Sequence, residues 1–292
     1  MYDTIIVGGG PAGLTSAIYL RRANKKVLVL EANVCGGQIV TAKDVENYPG
    51  YAHISGFDLS ENMRKQALDL GAEIKYETVL KVDEDKKVYT TNNTYEAKSI
   101  IIAIGSKNRK LKIENEDKFT GRGISYCATC DGNFFKDKDV AVIGGGNTAL
   151  DDILYLSDIC NHVYGIVRKD HYKGELQELE EISKRDNVTI LYNSVVTKLM
   201  GEDTLEKILI NDEKEINVSG VFVAIGQEPN NMMFKNVVDI DENGYIITNN
   251  DVKTKTQGIY VAGDAREKVL RQLTTAVSDG ALAATYAIKE ME

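Results

Sequence analysis

The sequence is poor in the residues that build metal sites and disulfide frameworks. Its 292 residues include four cysteines and three histidines, and only two of the cysteines lie close together. A structural zinc site needs about four ligands at fixed spacing, so we expect no metal site. Four cysteines are also too few, at this length, for the disulfide framework of a secreted protein.

The sequence also lacks a long hydrophobic run and an excess of positive charge. The longest apolar run, residues 100–104, is far too short to span a membrane, and the N-terminus has no signal-peptide core. The 35 Lys and Arg residues are outnumbered by 44 Asp and Glu residues, which gives a formal net charge of -9. Nucleic-acid binding depends on clustered cations. We therefore expect a cytoplasmic protein that binds neither nucleic acid nor membrane.

The sequence does contain a nucleotide-binding pattern near its N-terminus. A predicted strand over residues 4–7 leads into a G-x-G-x-x-G turn, and a helical pattern follows to residue 23. The first glycine permits the bend, the second lets a pyrophosphate approach the backbone, and the third lets helix and strand pack closely. The next predicted strand ends at Glu31, which can accept hydrogen bonds from a ribose hydroxyl. The turn consists of Gly8, Gly9, Gly10, Pro11, Ala12 and Gly13.

The same pattern recurs from residue 139. A strand over residues 139–143, a glycine-rich turn, a helix to about residue 156 and a strand over residues 163–167 form a second unit. The chain, 43% hydrophobic, is long enough for two domains with separate cores. The sequence therefore predicts an α/β protein with two dinucleotide-binding domains. The second turn consists of Gly144, Gly145, Gly146, Asn147, Thr148 and Ala149, with alanine in place of the packing glycine.

The two units differ at the position that recognises the ribose. Glu31 lies 23 residues after Gly8 (31 − 8), and the same count from Gly144 ends just before Arg168 and Lys169. An acid suits a free ribose 2′-hydroxyl, whereas cations suit a 2′-phosphate. We interpret the first unit as an FAD site and the second as an NADPH site. The alternative is that Arg168 and Lys169 merely lie at an exposed strand end.

The close cysteine pair, Cys127 and Cys130, could have one of three roles. A zinc site would need further ligands, and a structural disulfide would be out of place in a reducing cytosol. In a redox C-x-x-C pair, one sulfur attacks or leaves while the other resolves the mixed disulfide. Asp131 follows directly and could protonate a leaving thiolate, although it could instead cap a helix. We interpret the pair as a redox-active disulfide, and Cys35 and Cys160 as small hydrophobic residues.

Over its whole length the sequence resembles the low-molecular-weight, bacterial-type thioredoxin reductases, which are FAD-dependent pyridine nucleotide-disulfide oxidoreductases. The resemblance implies one FAD, NADPH as electron donor, a thioredoxin or thioredoxin-like protein as substrate, and a homodimer. It also implies two Rossmann-like domains, the second inserted in the first. We expect an FAD-binding domain at residues 1–111 and 246–292, and an NADPH-binding-like domain carrying the disulfide at residues 112–245. The matching motifs are residues 8–13, 36–38, 46–50, 127–131, 144–149, 263–264 and 271–272.

The resemblance also assigns residues to the two cofactors. In the family, Asp264 holds the ribityl chain of the flavin, and Arg271 and Gln272 lie along its ring. The surrounding sequence supports this, since an apolar strand over residues 258–262 precedes Gly263 and a helical pattern follows over residues 273–289. The other expected FAD residues, beside the first turn and Glu31, are Gly37, Gln38, Asn47, Gly105 and Gly263. The expected NADPH residues are Gly144, Gly146, Asn147, Thr148, Arg168, Lys169 and Lys173.

One motif departs from the family pattern. The NADPH signature of the family is H-R-R-x-x-x-R, but Val167, Arg168, Lys169 and Lys173 stand at those positions, so one of three arginines remains. Lysine binds phosphate as a point charge and cannot make the bidentate fork of arginine. A ferredoxin-dependent flavin thioredoxin reductase, as in clostridia, is therefore the alternative, although the intact second turn favours NADPH. A flavin-dependent dithiol oxidase and a non-catalytic redox sensor are further alternatives.

Overall fold

The computed structural model describes residues 1–42, 44–174, 176–248 and 251–292. It contains two compact α/β units. The first is Met1–Lys107 with Glu228–Glu292, and the second is Asn108–Gln227, which interrupts the first in sequence. The predicted fold class, two Rossmann-like domains with the second inserted in the first, is confirmed.

The units divide at residues other than those expected from the sequence. The sequence predicts that the chain passes between the units after residues 111 and 245. In the structure it passes between them after residues 107 and 227. The return comes 18 residues earlier (246 − 228) because Phe234, Val237 and Val238 are buried in a core of the first unit, together with Ile5 and Ile100. Core packing therefore places residues 228–245 in the first unit.

The N-terminal segment of the first unit alternates strands and helices as far as residue 76 and then continues with strands alone, and a 3₁₀ turn covers Gly37–Thr41. The predicted strand, turn and helix at its start are all present. A short strand, β7, follows at the crossing into the second unit. The elements are β1 (Tyr2–Val7), α1 (Pro11–Arg22), β2 (Val27–Glu31), α2 (Gly56–Asp69), β3 (Glu73–Tyr76), β4 (Val79–Val82), β5 (Lys87–Thr90), β6 (Thr94–Ile102) and β7 (Lys107–Asn108).

The second unit follows, and the chain then returns to the first. A 3₁₀ turn, Gly132–Phe135, directly follows the short helix Ala128–Asp131. The elements of the second unit are α3 (Glu116–Phe119), β8 (Ile124–Ser125), α4 (Ala128–Asp131), β9 (Asp139–Ile143), α5 (Asn147–Ser157), β10 (His162–Ile166), α6 (Leu176–Ile182), β11 (Val188–Leu191), β12 (Val196–Met200), β13 (Lys207–Ile210), β14 (Lys214–Asn217) and β15 (Gly220–Val223). The return contains β16 (Gln227–Glu228), β17 (Ile259–Val261) and α7 (Leu273–Glu290).

In the first unit, a parallel sheet brings several strand ends to one edge. Its strand order is β3-β2-β1-β6-β17, and β4 and β5 extend β6 in antiparallel pairing. The central strands are apolar on both faces, as expected for strands covered on two sides. Because parallel strands end at the same edge, the first glycine-rich turn, Glu31, Gly105 and Gly263 all lie at or just after strand ends on that edge.

Helices α1 and α7 pack closely on this sheet. The Ser16 hydroxyl donates to the Ala12 carbonyl at 2.9 Å and to the Gly280 carbonyl at 3.0 Å. A Cβ placed on Gly280 would lie 2.2 Å from the Ala12 carbonyl oxygen, so only glycine permits this approach. The predicted helix over residues 273–289 is confirmed as α7. The close packing fixes α1, whose first turn follows the glycine-rich loop.

The second unit repeats this plan on a smaller scale. Its parallel sheet has the order β11-β10-β9-β15-β8, and β12, β13 and β14 form a separate antiparallel sheet. Helix α5 buries Leu150, Ile153 and Leu156 in the core on one side of the parallel sheet. Within the described residues, no helix is long and apolar enough to cross a membrane.

Candidate disulfide and dinucleotide sites

The predicted cysteine pair lies on the second unit, between β8 and the 3₁₀ turn. Cys127 and Cys130 are joined by a disulfide, with their Cα atoms 5.3 Å apart. Cys127 is the N-cap residue of α4, and both cysteines are partly exposed. The Cys127 carbonyl accepts the backbone N–H groups of Cys130 at 3.3 Å and Asp131 at 3.1 Å. The pair is therefore held on a tight, accessible turn.

Asp131, the residue after the pair, has an unusual environment for a carboxyl group. Its Oδ2 accepts a hydrogen bond of 2.6 Å from the Ser125 hydroxyl. Burial raises the pKa of Asp131, and the Ser125 hydrogen bond opposes that rise. The side chain makes no helix-capping hydrogen bond, so the alternative role as a cap has no support. A raised pKa favours a protonated carboxyl, which can donate a proton.

Sequence reasoning did not find two buried polar residues near the disulfide. Ser125 contacts both Asp131 and the backbone of Cys127. Glu116 accepts the backbone N–H groups of Leu111 and Lys112 at 2.7 and 2.9 Å, and the Tyr126 hydroxyl at 2.8 Å. These contacts join residues only two to ten positions apart, but no motif or spacing rule signals them. They fix the segment that leads into Cys127.

In the first unit, the glycine-rich turn has the geometry that its sequence predicts. Gly8 has φ of +109°, which favours glycine, and a Cβ on Gly13 would lie 2.0 Å from the Gly8 carbonyl oxygen. A Cβ on Gly10 would meet no atom closer than Gly37 Cα, at 3.9 Å. The space beside Gly10 at the start of α1 is therefore open, as a pyrophosphate requires.

Glu31 lies in the wall of a cavity of about 200 Å³. Its Oε2 accepts the Gly9 N–H at 2.7 Å and its Oε1 accepts the Asn33 N–H at 2.9 Å, so the carboxylate is fixed in place. The cavity therefore adjoins both Glu31 and the first glycine-rich turn. Its wall includes Gly8, Glu31, Thr78, Val79, Gly105 and Met233.

Asp264 and Arg271 carry buried polar atoms that find no hydrogen-bond partner among the described residues. These atoms are Asp264 Oδ1 and Arg271 Nε. Burial raises the pKa of Asp264, and the charges of Lys268 and Arg271 oppose that rise. Buried polar groups are almost always hydrogen-bonded. The two atoms therefore fit a ligand with both hydroxyl and acceptor groups, as FAD has.

The structure brings the predicted FAD residues together within the first unit. Gly37 lies opposite Gly10, and a Cβ on Gly263 would lie 3.0 Å from Ala12 Cβ. The remaining pairs are polar: Gln38 Nε2 donates to the Ser106 carbonyl, beside Gly105, at 2.9 Å, and Asn47 Nδ2 donates to Gln272 Oε1 at 3.3 Å.

Asp279 of α7 is a further residue that sequence reasoning did not find. This buried carboxylate accepts the Gly263 N–H at 3.0 Å and the Lys268 ammonium at 2.8 Å. It also accepts two Arg266 guanidinium N–H groups at 3.1 and 3.2 Å. Asp279 therefore fixes the loop that carries Asp264, but the sequence pattern shows it only as one polar position in a helix.

The predicted NADPH residues also lie close together, in the second unit. Gly146 is the N-cap of α5, and a Cβ placed on it would meet no atom within 4 Å. The Lys173 N–H donates to the Gly145 carbonyl at 2.7 Å, which ties the basic loop to the turn. The side chains of Arg168, Lys169 and Lys173 are exposed, and none makes an ion pair within the described part of the chain. The exposed Asn147 and Thr148 complete the set.

The other two cysteines are free thiols in the cores. Cys35 lies in the first unit and Cys160 in the second, and burial raises the pKa of both thiols. Buried thiols with raised pKa values are poor nucleophiles. Their interpretation as small hydrophobic residues fits this environment.

The fold and the sites together define a class: a two-domain, dinucleotide-binding oxidoreductase with an internal disulfide. A family model described as pyridine nucleotide-disulphide oxidoreductase matches residues 2–280, and the chain belongs to this family. The resemblance to thioredoxin reductases found in the motifs is confirmed by relatives that match over nearly the whole chain.

Three relatives illustrate the match. The thioredoxin reductase of Borreliella burgdorferi is 43% identical over 291 residues, which cover 96% of this chain and 89% of that protein. The crystal structure of thioredoxin reductase from Streptococcus pyogenes is 39% identical, with a TM-score of 0.94 over 100% of this chain and 99% of that one. A ferredoxin-flavin thioredoxin reductase from Clostridium acetobutylicum is 31% identical, with a TM-score of 0.54 over 99% and 98% of the two chains.

Proposed function

We propose that this protein is an FAD-dependent thioredoxin reductase that takes electrons from NADPH and reduces the disulfide of a thioredoxin or thioredoxin-like protein. The observation that carries the proposal is the partly exposed Cys127–Cys130 disulfide beside Asp131, a partly buried carboxyl with a raised pKa. The names of the relatives support the same activity. The homodimer implied by the resemblance and the cytoplasmic location expected from the sequence composition remain predictions.

In this proposal, the first unit binds FAD through the open edge of its sheet. Gly10 and the start of α1 bind the pyrophosphate. Glu31 accepts hydrogen bonds from the ribose hydroxyls, and Asp264 accepts one from a hydroxyl of the ribityl chain. Arg271 and Gln272 border the flavin ring. When bound, FAD would supply two-electron transfer between the donor and the disulfide.

The Cys127–Cys130 dithiol then carries out thiol–disulfide exchange with the protein substrate. One thiolate attacks the substrate disulfide, which breaks and forms a mixed disulfide. The other cysteine attacks the mixed disulfide, so the pair returns to its own disulfide and the substrate leaves as a dithiol. Two electrons and two protons pass to the substrate. We assign to Asp131 the donation of a proton to a leaving thiolate.

The basic loop of the second unit supports NADPH as the donor. Arg168, Lys169 and Lys173 are exposed beside an intact glycine-rich turn, where a 2′-phosphate could pair with them. The turn also keeps the open space at Gly146 that a pyrophosphate needs.

The second candidate function is a ferredoxin-dependent thioredoxin reductase. One observation favours it: two of the three arginines of the NADPH signature are lysines here, at Lys169 and Lys173. The similarity to the Clostridium acetobutylicum protein supports the same candidate. No observation favours a dithiol oxidase or a redox sensor.

An anaerobic titration of the purified protein with NADPH, NADH and reduced ferredoxin, followed at the flavin absorbance, separates these functions. We expect a yellow protein with one FAD per chain. NADPH should bleach the flavin absorbance, and oxidised thioredoxin should restore it. Reduction by ferredoxin alone would establish the second candidate. A colourless protein that does not bind added FAD would contradict both.

A further inference from the structure

Ser125 lies at the end of β8, two residues before the disulfide, and only 4% of its surface is exposed. Its hydroxyl contacts three groups. Asp131 Oδ2 lies at 2.6 Å, the Cys127 N–H nitrogen at 3.0 Å and the Cys127 carbonyl oxygen at 3.2 Å. A single buried hydroxyl therefore bridges Asp131 and the backbone of the first cysteine.

The hydroxyl has one hydrogen and two lone pairs, so its hydrogen bonds depend on the state of Asp131. When the carboxyl is ionised, Ser125 donates to Asp131 and accepts from the Cys127 N–H. When the carboxyl is protonated, its O–H can donate to Ser125 Oγ, and the serine hydrogen is then available to the Cys127 carbonyl. That carbonyl also accepts from the Cys130 and Asp131 N–H groups, so both ends of the turn meet there.

We infer that Ser125 is a positioning residue for the dithiol exchange, because it ties the carboxyl group of Asp131 to the backbone of Cys127 in both protonation states. The inference rests on the proposed roles of the disulfide and Asp131 and adds to them. Ser125 takes no proton from the substrate. It determines where the Asp131 carboxyl points and how readily that carboxyl ionises.

The ionisable groups around Asp131 are few. Ser125 is the side chain that lowers its pKa, and burial raises it. Helix α5, which packs against α4, carries Asp151 and Asp152, and both have raised pKa values. Cys127 and Cys130 titrate once they are reduced. Aspartate-labelled protein gives a carboxyl resonance for each of its 22 aspartates, and Asp131→Asn identifies the resonance of Asp131.

The test uses the holoenzyme with Ser125→Ala, Ser125→Thr and a matched control, Ser157→Ala. Ser157 is a buried serine of the same unit whose hydroxyl donates to the Leu154 carbonyl at 2.7 Å. The first measurement is the pH midpoint of the Asp131 carboxyl, followed by ¹³C NMR of aspartate-labelled, oxidised protein. Ser125→Ala should move the midpoint up by about one pH unit, the size expected for one lost hydrogen bond to a charged group.

The second measurement is the pH dependence of the reaction between the reduced enzyme and thioredoxin, followed by rapid mixing. Ser125→Ala should slow the exchange by about tenfold, the effect of roughly 1.4 kcal/mol, and shift its alkaline limb to higher pH. Ser125→Thr keeps the hydroxyl and should restore both values, and Ser157→Ala should match the wild type. The flavin content of each variant reports its folding.

Two results would overturn the inference: an Asp131 midpoint in Ser125→Ala equal to that of Ser157→Ala, or a Ser125→Thr protein that behaves like Ser125→Ala. The NMR titration needs neither thioredoxin nor an electron donor. It therefore decides the role of Ser125 even if thioredoxin proves not to be the substrate. Failure of the proposed function would be seen in the anaerobic titration with electron donors and thioredoxin, which is a separate experiment.

Discussion

At the scale of single residues, the chemistry of this protein depends on side chains whose surroundings change their reactivity. The two cysteines of the disulfide are partly exposed, whereas Cys35 and Cys160 are buried in apolar cores. Burial also acts on the carboxyls: Asp131 and Asp264 are partly buried, and both have raised pKa values. The exposed thiols are therefore the ones that can exchange with a substrate, and burial shifts the ionisation of Asp131 and Asp264 to higher pH.

The disulfide can be tested by removing one sulfur at a time. Cys127→Ser or Cys130→Ser should leave FAD bound and reducible by the donor but abolish thioredoxin reduction, because the path of electrons beyond the flavin is cut. Flavin absorbance and thioredoxin-dependent turnover measure the two effects. Cys160→Ala, a change at a buried thiol of the same unit, should keep turnover. Full turnover in either serine variant would show that the redox assignment is wrong.

The basic loop can be tested through the preference for NADPH over NADH. Arg168→Ala or Lys169→Ala should weaken the affinity for NADPH by roughly 10- to 100-fold, which is the effect of one lost charge-assisted contact. The affinity for NADH should barely change. Rates of flavin reduction at several nucleotide concentrations measure both. Lys198→Ala, at an exposed lysine of β12, serves as the control. Equal losses for both nucleotides would contradict a 2′-phosphate contact.

At the scale of elements, the two units repeat one arrangement of strand, turn and helix. Helix α1 follows the first turn and α5 follows the second, and each turn has open space beside the glycine that precedes its helix. The loop of Asp264 is different, because a carboxylate from α7 fixes it through Gly263, Arg266 and Lys268. The turns are local structures, whereas this loop depends on a helix later in the chain.

The repeated turns allow a matched pair of substitutions. Gly10 and Gly146 both have negative φ, and a Cβ at either position meets no protein atom closer than 3.9 Å. The protein should therefore fold with valine at either position. Gly10→Val should remove FAD, because the side chain fills the space for its pyrophosphate. Gly146→Val should keep FAD but lose reduction by NADPH.

Bound flavin per chain and the NADPH titration distinguish these two variants. Retention of a full complement of FAD by Gly10→Val would contradict the assigned pyrophosphate position. An unchanged NADPH titration in Gly146→Val, with FAD bound, would instead favour the ferredoxin-dependent function.

At the scale of the whole molecule, the second unit carries a partly buried acid, Asp152, that links stability to pH. Burial and the neighbouring Asp151 raise the pKa of Asp152 from 3.8 to about 7. An acid with a raised pKa in the folded state destabilises the fold as pH rises, because the unfolded chain ionises first. The loss of folding stability begins near pH 4 and is complete above about pH 7.

Asp152→Asn should therefore raise the midpoint of thermal unfolding by a few degrees at pH 8 and by less at pH 5. Thermal melts across this range, followed by circular dichroism, measure the difference. Asp203→Asn, at an exposed loop position, should change the midpoint little at either pH. A stabilisation by Asp152→Asn that does not grow with pH would contradict the raised pKa.

The sequence by itself determined the features that depend on short-range patterns. The two glycine-rich turns, their flanking strands and helices, the C-x-x-C pair and Asp131 each occupy a few consecutive residues with fixed spacing. Local backbone geometry and strand–turn–helix order are enough to predict them. The motifs around Asp264 and Arg271 needed the resemblance to a family as well.

Only the tertiary structure decided the polar contacts that join residues of different elements and loops. It joins Asp279 to Gly263, Glu116 to Tyr126, and Ser125 to both Asp131 and Cys127. It also shows that the chain re-enters the first unit at residue 228, because Phe234 and its neighbours are buried in a core of that unit. Such contacts depend on how helices and strands pack, and a buried serine or aspartate has the same local sequence pattern as an exposed one.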